Sequence, residues 1–479
     1  MPLSPTIHKS SRREFLGSSL ALSMMPFALR LPSPMQSVDL RIGACSLEIS
    51  PGRWIPTTSY LSHPPGSVIN LDPHLPTQVT ISNSTVEPEF AHWHGLCLPT
   101  TLDGTSEEQS RSIPAGSKID YILPPQDAGL FFLHSHGMAM HDLSRGPYSG
   151  QFVPVAAGTH TFKGLSWDRE FLLITHEWLP AFINKGANDR SLEEMHHLRI
   201  DPDDEAGEDI PDGGWEIVYQ AATINGRVLG AGEPLHVKKG ERILLRIINA
   251  SATEPLQLSL PGHRFLVLTL DGYPVPTRSV VEVLSLGVGE RVEALILMDS
   301  PGIWILGSPD DGARSLGMGI VVEYADRIGS PVWSVPETNT PWSYANFAEH
   351  RESIPPPQQT RGFRLERRPP GADGFDRWAM VSDSQSTVLL QAGERTRITL
   401  INTTDEPHPM HLHRMPFDLV RIAGAPCTGI RKDTVVIPPF QQAELDVTPV
   451  APSECGPALF HCHNQMHMDC GLSTLLKIV

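Results

Sequence analysis

Residues 458–472 read ALFHCHNQMHMDCGL, placing Cys462 between His461 and His463, with His467 one short loop later. A thiol and three imidazoles in so short a run are the soft and nitrogen donors that a transition metal uses side by side. Three more clusters are built alike: His92 and His94 in HWHG, His134 and His136 in HSH, and His408, His411 and His413 in HPMHLH. Side chains alternate along a strand, so both histidines of a His-x-His pair face one side. The pairs His92/His94, His134/His136, His411/His413 and His461/His463 present eight imidazoles, more than one ion can use. They predict a multinuclear centre where the first and last parts of the chain meet. The same alternation turns Cys462 to the opposite side, where His408 and His467 are the histidines left over. Two imidazoles and a thiolate describe a trigonal blue-copper site with a weak or empty axial position. One residue of backbone would then join two sites on the order of 10 Å apart.

Donors placed this way need strands, and the chain supplies one strand-rich unit three times. In VKKGERILLRIINAS (237–251) and LQAGERTRITLINTT (390–404) a glycine precedes an asparagine by nine residues. LDPHLPTQVTISNST (71–85) keeps the alternating strand and Asn83, with His74 in the glycine's place. A second phrase also recurs, from Ile113, Leu286 and Ile437, ending in His134-Ser135-His136, Leu306-Gly307-Ser308 and His461-Cys462-His463. The pattern predicts three antiparallel β-sandwiches in tandem, the middle one without metal donors. Their expected limits are 37–162, 163–326 and 365–479, with the proline-rich stretch 327–364 as a linker.

Bulk composition agrees. The 479 residues carry 45 prolines and 39 glycines, which favour many turns and short strands over helical bundles. A net charge of −17 excludes a nucleic-acid partner, since phosphate binding needs basic surface. Six cysteines in this length are no disulfide scaffold. With Cys462 set aside, Cys45, Cys97, Cys427, Cys455 and Cys470 are odd in number, and Cys427 with Cys455 is a candidate pair. Residues 1–36 read as an export segment: Arg12 and Arg13 precede an apolar run too short to span a bilayer. SRREFLG resembles the twin-arginine signal of bacteria, implying a periplasmic or otherwise exported protein without a stable membrane anchor once the signal is removed.

Taken together, HWHG, HSH, HPMHLH and HCHNQMH resemble the four copper motifs of three-domain, laccase-like multicopper oxidases. The likeness runs from about residue 65 to the end, and KDTVVIPP (432–439) is a further family phrase. The resemblance implies an all-β chain of three tandem cupredoxin-like Greek-key β-sandwich domains with four copper ions. It gives the type 1 copper to His408, Cys462 and His467, and the type 2 copper to His92 and His411. One type 3 copper would take His94, His134 and His463, and the other His136, His413 and His461. The implied partners are O₂ and a small reducing substrate. Electrons would enter at the type 1 copper through His408 or His467, pass along Cys462, and reduce O₂ to two waters. Asp103, in TTLDG, matches the family's acid near the oxygen-reducing cluster; a turn Asp-Gly is the plainer account. A second acid after the type 1 histidine is replaced by Met468, and Asp469 lies on another face of a regular segment.

The axial position falls at Leu472, which offers no donor and so predicts a higher potential than a methionine would give. Met410, Met415, Met466 and Met468 flank the type 1 histidines, either as soft contacts for cuprous ions or as core filling. Met138, Met140 and His141 form another soft patch, and 193–212 is an acidic run. The expected reductants are phenol-type aromatics, with cuprous ion as the alternative. A copper-free relative acting as a binding or envelope factor would lack ligands, and none of these is missing. A copper nitrite reductase needs fewer.

Overall fold

The computed structural model describes residues 35–61, 64–65, 68–136, 152–184, 215–337, 339–350, 354–371, 374–383, 388–449 and 456–479. Arg12, Arg13, the Met138/Met140/His141 patch, the acidic run 193–212 and Cys455 lie outside the described residues. Gln36–Val479 forms one compact unit. No helix among the described residues is long and apolar enough to cross a membrane.

The described strands form six sheets, two to each of three sandwiches. In the first sandwich one sheet runs Arg53–Ser59, Gln36–Ser50, Thr77–Asn83, Lys118–Leu123. The other runs Ile69–Leu71, Phe152–Ala157, Gly129–Ser135, Ala91–His94, and the two close on a core of Ile42, Val79, Ile81, Trp93, Leu133 and Val155. The third sandwich repeats this scheme, its ligand-bearing sheet ordered Val388–Leu390, Ser473–Ile478, Gly456–Cys462, His408–Leu412, Thr434–Ile437.

The sheets are mixed rather than purely antiparallel. The opening strand of each unit pairs in parallel with a later one: Gln36–Ser50 with Thr77–Asn83, Arg169–Asn184 with Arg242–Asn249, and Gln359–Arg368 with Thr396–Asn402. Between the two members the chain visits the facing sheet, as at Ile69–Leu71, and comes back running the same way. The expected alternation is present in Thr77–Asn83 and Thr396–Asn402, which bury every second side chain. Arg242–Asn249 is instead buried on both faces, because Phe162, Leu165 and Trp167 pack over its outer side.

The repeated asparagine is a corner post. Asn83, Asn249 and Asn402 are buried, and each amide donates to carbonyls across the following loop: Glu87 and Ile113, Glu254 and Leu286, Glu406 and Ile437. Each side-chain oxygen accepts the backbone N–H two residues on. Gly240 and Gly393 turn with positive φ, whereas in the first unit Asp72 accepts from the His74 and Leu75 N–H groups and makes the turn without glycine. The stretch read as a linker, 327–364, is partly structured. A 3₁₀ turn at Tyr344–Phe347 buries both end residues, and the first strand of the third sandwich already starts at Gln359. Its proline run extends only a short connector between these two anchors.

Candidate metal centre

Two strand pairs from opposite ends of the chain build the larger site. Ala91–His94 is buried throughout and pairs with Gly129–Ser135 so that His92 lies across from His134. In the third sandwich His408–Leu412 pairs with Gly456–Cys462, putting His411 across from His461 and Met410 across from Cys462. The two sheets meet, with the His92 ring stacked on His413 at 4.0 Å and the His94 ring on His411 at 3.8 Å. Donor atoms of His92/His94/His411, of His94/His134/His463 and of His136/His413/His461 gather within 4.8 Å in each group.

The nitrogens are sorted. Nδ1 of His92, His134, His411 and His461 donates to the carbonyls of Asp103, Ser135, Asp433 and Cys462 at 2.9–3.0 Å. Nε2 of His92, His134, His136 and His411 is buried with no hydrogen-bond partner among the described residues. Burial, reinforced by neighbouring imidazoles, holds His94, His134, His136, His411, His413 and His463 well below the usual histidine range, and His461 at about 3. Neutral rings aiming bare lone pairs into one dry space are costly unless a cation completes them. The residues fit a cluster of metal ions.

The smaller site lies within the third sandwich. Cys462 Sγ is 3.7 Å from His408 Nδ1 and 3.6 Å from His467 Nδ1, and those two nitrogens are 3.1 Å apart. Here the outer nitrogens are anchored instead: His408 Nε2 to Thr404 Oγ1 at 2.8 Å and His467 Nε2 to Glu406 Oε2 at 3.0 Å. Both anchors stand on the loop that Asn402 ties down, so the repeated corner post now orients metal donors. His467 sits on the short helix Gln465–Asp469, whose N-cap Asn464 accepts from the Met466 and His467 N–H groups. Burial raises the Cys462 thiol and lowers His408 to about 2, so a cation is what would make the thiolate favourable. Leu472 is fully buried; its carbonyl accepts from the Cys462 N–H and its N–H donates to the His467 carbonyl.

Asp103 ends the short helix Thr100–Asp103, and its Oδ2 lies 2.9 Å from His413 Nδ1 and 3.2 Å from His92 Nδ1. Gly104 allows this, since a Cβ there would lie 1.8 Å from the Ala91 carbonyl oxygen. The structure adds Glu108, whose Oε1 is 3.7 Å from the same His413 nitrogen. Burial and then the Asp103 charge push Glu108 upward, and the Arg414 guanidinium pulls it back toward the charged form. Asp469 accepts from Gln465 on its own helix at 2.8 Å. Met410 and Met415 are core residues.

The sequence reading missed a buried charge network contributed by the middle sandwich. Arg291 makes two bonds to Asp433, at 2.6 and 2.5 Å, and also donates to the Leu130 and Asp271 carbonyls. Asp433 Oδ1 in turn lies 3.1 Å from His94 Nε2. Lys432 pairs with Asp271 and Glu290 at 2.9 and 3.0 Å, and Tyr344 from the supposed linker donates to Glu290. Only KDTVVIPP hinted at this network, through Lys432 and Asp433. Beside His467 opens a cavity of about 350 Å³, lined by Trp378, Phe375, Met466 and the carboxylates Glu216, Glu254, Asp376 and Glu406.

Known proteins agree with this architecture. Three family models described as multicopper oxidase match residues 56–154, 195–315 and 355–478. The multicopper oxidase MmcO of Mycobacterium tuberculosis is 27% identical over 89% of this chain and 84% of its own. A copper resistance protein A homolog of Pseudomonas syringae pv. tomato is 21% identical over 98% and 99%. The laccase of Botrytis aclada shares the fold with a TM-score of 0.71 at 16% identity, over 92% of this chain and 87% of that one. Consecutive matches along all three sandwiches show that the chain belongs to the multicopper oxidase family, copper-dependent oxidoreductases that use O₂ and a reducing substrate.

Proposed function

We propose that this chain takes electrons singly from a reductant beside His467 and delivers them to O₂, which with four electrons and four protons becomes two waters. The observation that carries this reading is the set of Nε2 atoms of His92, His134, His136 and His411, buried without a partner among the described residues, beside a cluster whose His461 and His463 flank a thiol held between two Nδ1 atoms. His408, Cys462 and His467 would hold one copper, and His92 with His411 a second. His94, His134 and His463 would hold a third, and His136, His413 and His461 a fourth. Bound there, copper supplies one-electron redox chemistry and a place for O₂.

The chain's own residues do the rest. Cys462 is bonded through its backbone to His461 and His463, a covalent route from the smaller site to the larger. Asp103 fixes the Nδ1 proton of His413 with Oδ2, and its Oδ1, buried and partnerless, is placed to carry a proton for water formation. The cavity beside His467 is the port for the reductant, with the Trp378 ring tilted against the imidazole at a centroid distance of 4.1 Å. Its aromatic wall supports a phenol-type substrate. Its four carboxylates and Met466 support a second reading, a cationic reductant such as cuprous ion.

Oxygen uptake by the copper-loaded chain decides between them: a phenol and Cu(I) are compared before and after Glu216→Gln. A rate with Cu(I) that leads and falls on substitution favours the cation. A phenol rate that leads and is indifferent favours the aromatic, and no uptake with either refutes the reading. The export segment belongs to the same reading. Replacing Arg12 and Arg13 by lysine should retain the protein in the cytoplasm, and undiminished export would refute a twin-arginine route.

A further inference from the structure

Directly after His413, Arg414 has a left-handed backbone with φ 65, although only glycine adopts that region freely. The residue is 1% exposed, and its guanidinium spans two sandwiches. Toward the first it meets Glu108 Oε2 at 2.9 Å and the Leu98 carbonyl at 3.5 Å; toward the third it donates to the Pro457 carbonyl at 2.6 Å. Glu108 reaches back the other way, its Oε1 accepting the Leu459 N–H at 2.6 Å. The Leu459 carbonyl accepts from the His413 N–H at 3.0 Å, and two residues further along the same strand stands His461. Glu108 therefore touches the strand that carries His461, while Arg414 follows His413 in the turn after His408–Leu412. The loop that presents Glu108 also presents Asp103, and it is closed on itself by the bonds of Ser110 to Gly104 and Thr105.

We propose that the Glu108–Arg414 pair is a clamp between the first and third sandwiches, setting the spacing of His136 against His413 and His461. Glu108 and Arg414 are positioning residues: they act through the ligands and touch neither metal nor substrate. The inference rests on the metal assignment above. A buried pair of this kind is sensitive to losing one member, because the other is left uncompensated, and tolerant of losing both. Without Arg414, Glu108 and Asp103 would face one histidine nitrogen with no cation beside them. The Cys462 site, inside one sandwich, does not depend on the clamp.

Three full-length variants test it: Arg414→Met, Glu108→Gln and the two combined, each loaded with copper and read by copper content, visible thiolate-to-copper band and oxygen uptake. Arg414→Met is expected to keep the band while losing copper from the larger site, with uptake down about tenfold or more. Glu108→Gln has the same direction and a smaller size. The double variant, in which the Glu108 carboxylate is gone together with its partner, is expected to hold more copper than Arg414→Met. Full loading of Arg414→Met overturns the clamp, as does a double variant loaded no better than it. If Arg414→Met does not fold, a folded and loaded double variant supports the clamp and an equally unfolded one overturns it. A wild-type chain without four coppers and the band refutes the metal assignment itself, whereas a wild type with both beside unaffected variants refutes the clamp alone.

Discussion

The outer and middle sandwiches end the same repeated strand differently. His134-Ser135-His136 and His461-Cys462-His463 offer donors, whereas Leu306-Gly307-Ser308 is packed beneath the helix Asp311–Leu316, with the Met318 carbonyl close to Gly307. The middle unit nevertheless shapes the site from its turn. At Gly289, φ 83, a Cβ would lie 2.9 Å from the His463 ring, so the bare backbone makes room for that ligand. Two residues on, Arg291 grips Asp433 and through it His94. One fold repeated three times thus divides the labour: two units supply nitrogen and sulfur, and the third supplies fixed charge.

Arg291→Met breaks this division most severely. It strands Asp433 in the interior, leaves Asp271 to Lys432 alone, and should cost about 3–5 kcal/mol of stability. The loss is read as a lowered denaturant midpoint, with copper lost from the larger site before the thiolate band fades. An unchanged midpoint would mean the middle unit is only a spacer. Asp103→Asn addresses the outer units alone. It should keep copper and the visible band while slowing oxygen uptake about ten- to a hundredfold, and a normal rate would remove Asp103 from proton supply.

The buried imidazoles predict an asymmetry in pH. Their folded values lie below the ordinary one, near 3 for His461 and 2 for His408, so the unfolded chain binds protons first as the pH falls. Stability of the copper-free chain is complete well above about pH 6.5 and declines as the pH falls through the window from there down to about pH 2. Copper narrows the loss, because bound imidazoles cannot protonate. Melting curves at several pH values, with and without copper, check this; a flat copper-free profile contradicts it. The smallest effect is expected at Leu472→Met, which should lower the reduction potential of the Cys462 site and leave copper content unchanged. A potential unchanged or raised would mean that Leu472 only fills the core.

The gathering of the histidine clusters and Cys462 was legible because strand geometry converts spacing into direction. His-x-His had to put two rings on one side, and Cys462 had to face the other way. The corner asparagines could be seen as a repeat, although their task, bridging a loop with one amide, needed coordinates. The charge network was not legible, since Arg291 and Asp433 lie 142 residues apart and nothing in an isolated Arg or Asp tells where its partner will come from. Glu108 was hidden for the same reason, reading as one acid among several in a polar loop. Glu406 also looked like loop, yet the turn pinned by Asn402 carries it to His467. The linker misled because its prolines spoke for extension while Tyr344 and Phe347 were free to anchor it.

The central claim, that the outer two sandwiches hold all the metal and the middle one holds none, is tested most directly by diffraction from copper-loaded crystals at the copper absorption edge. The account predicts four anomalous peaks per chain, three among the eight paired imidazoles and one between Cys462, His408 and His467. Fewer peaks at those places, or a peak beside Leu306, Gly307 and Ser308, would contradict it.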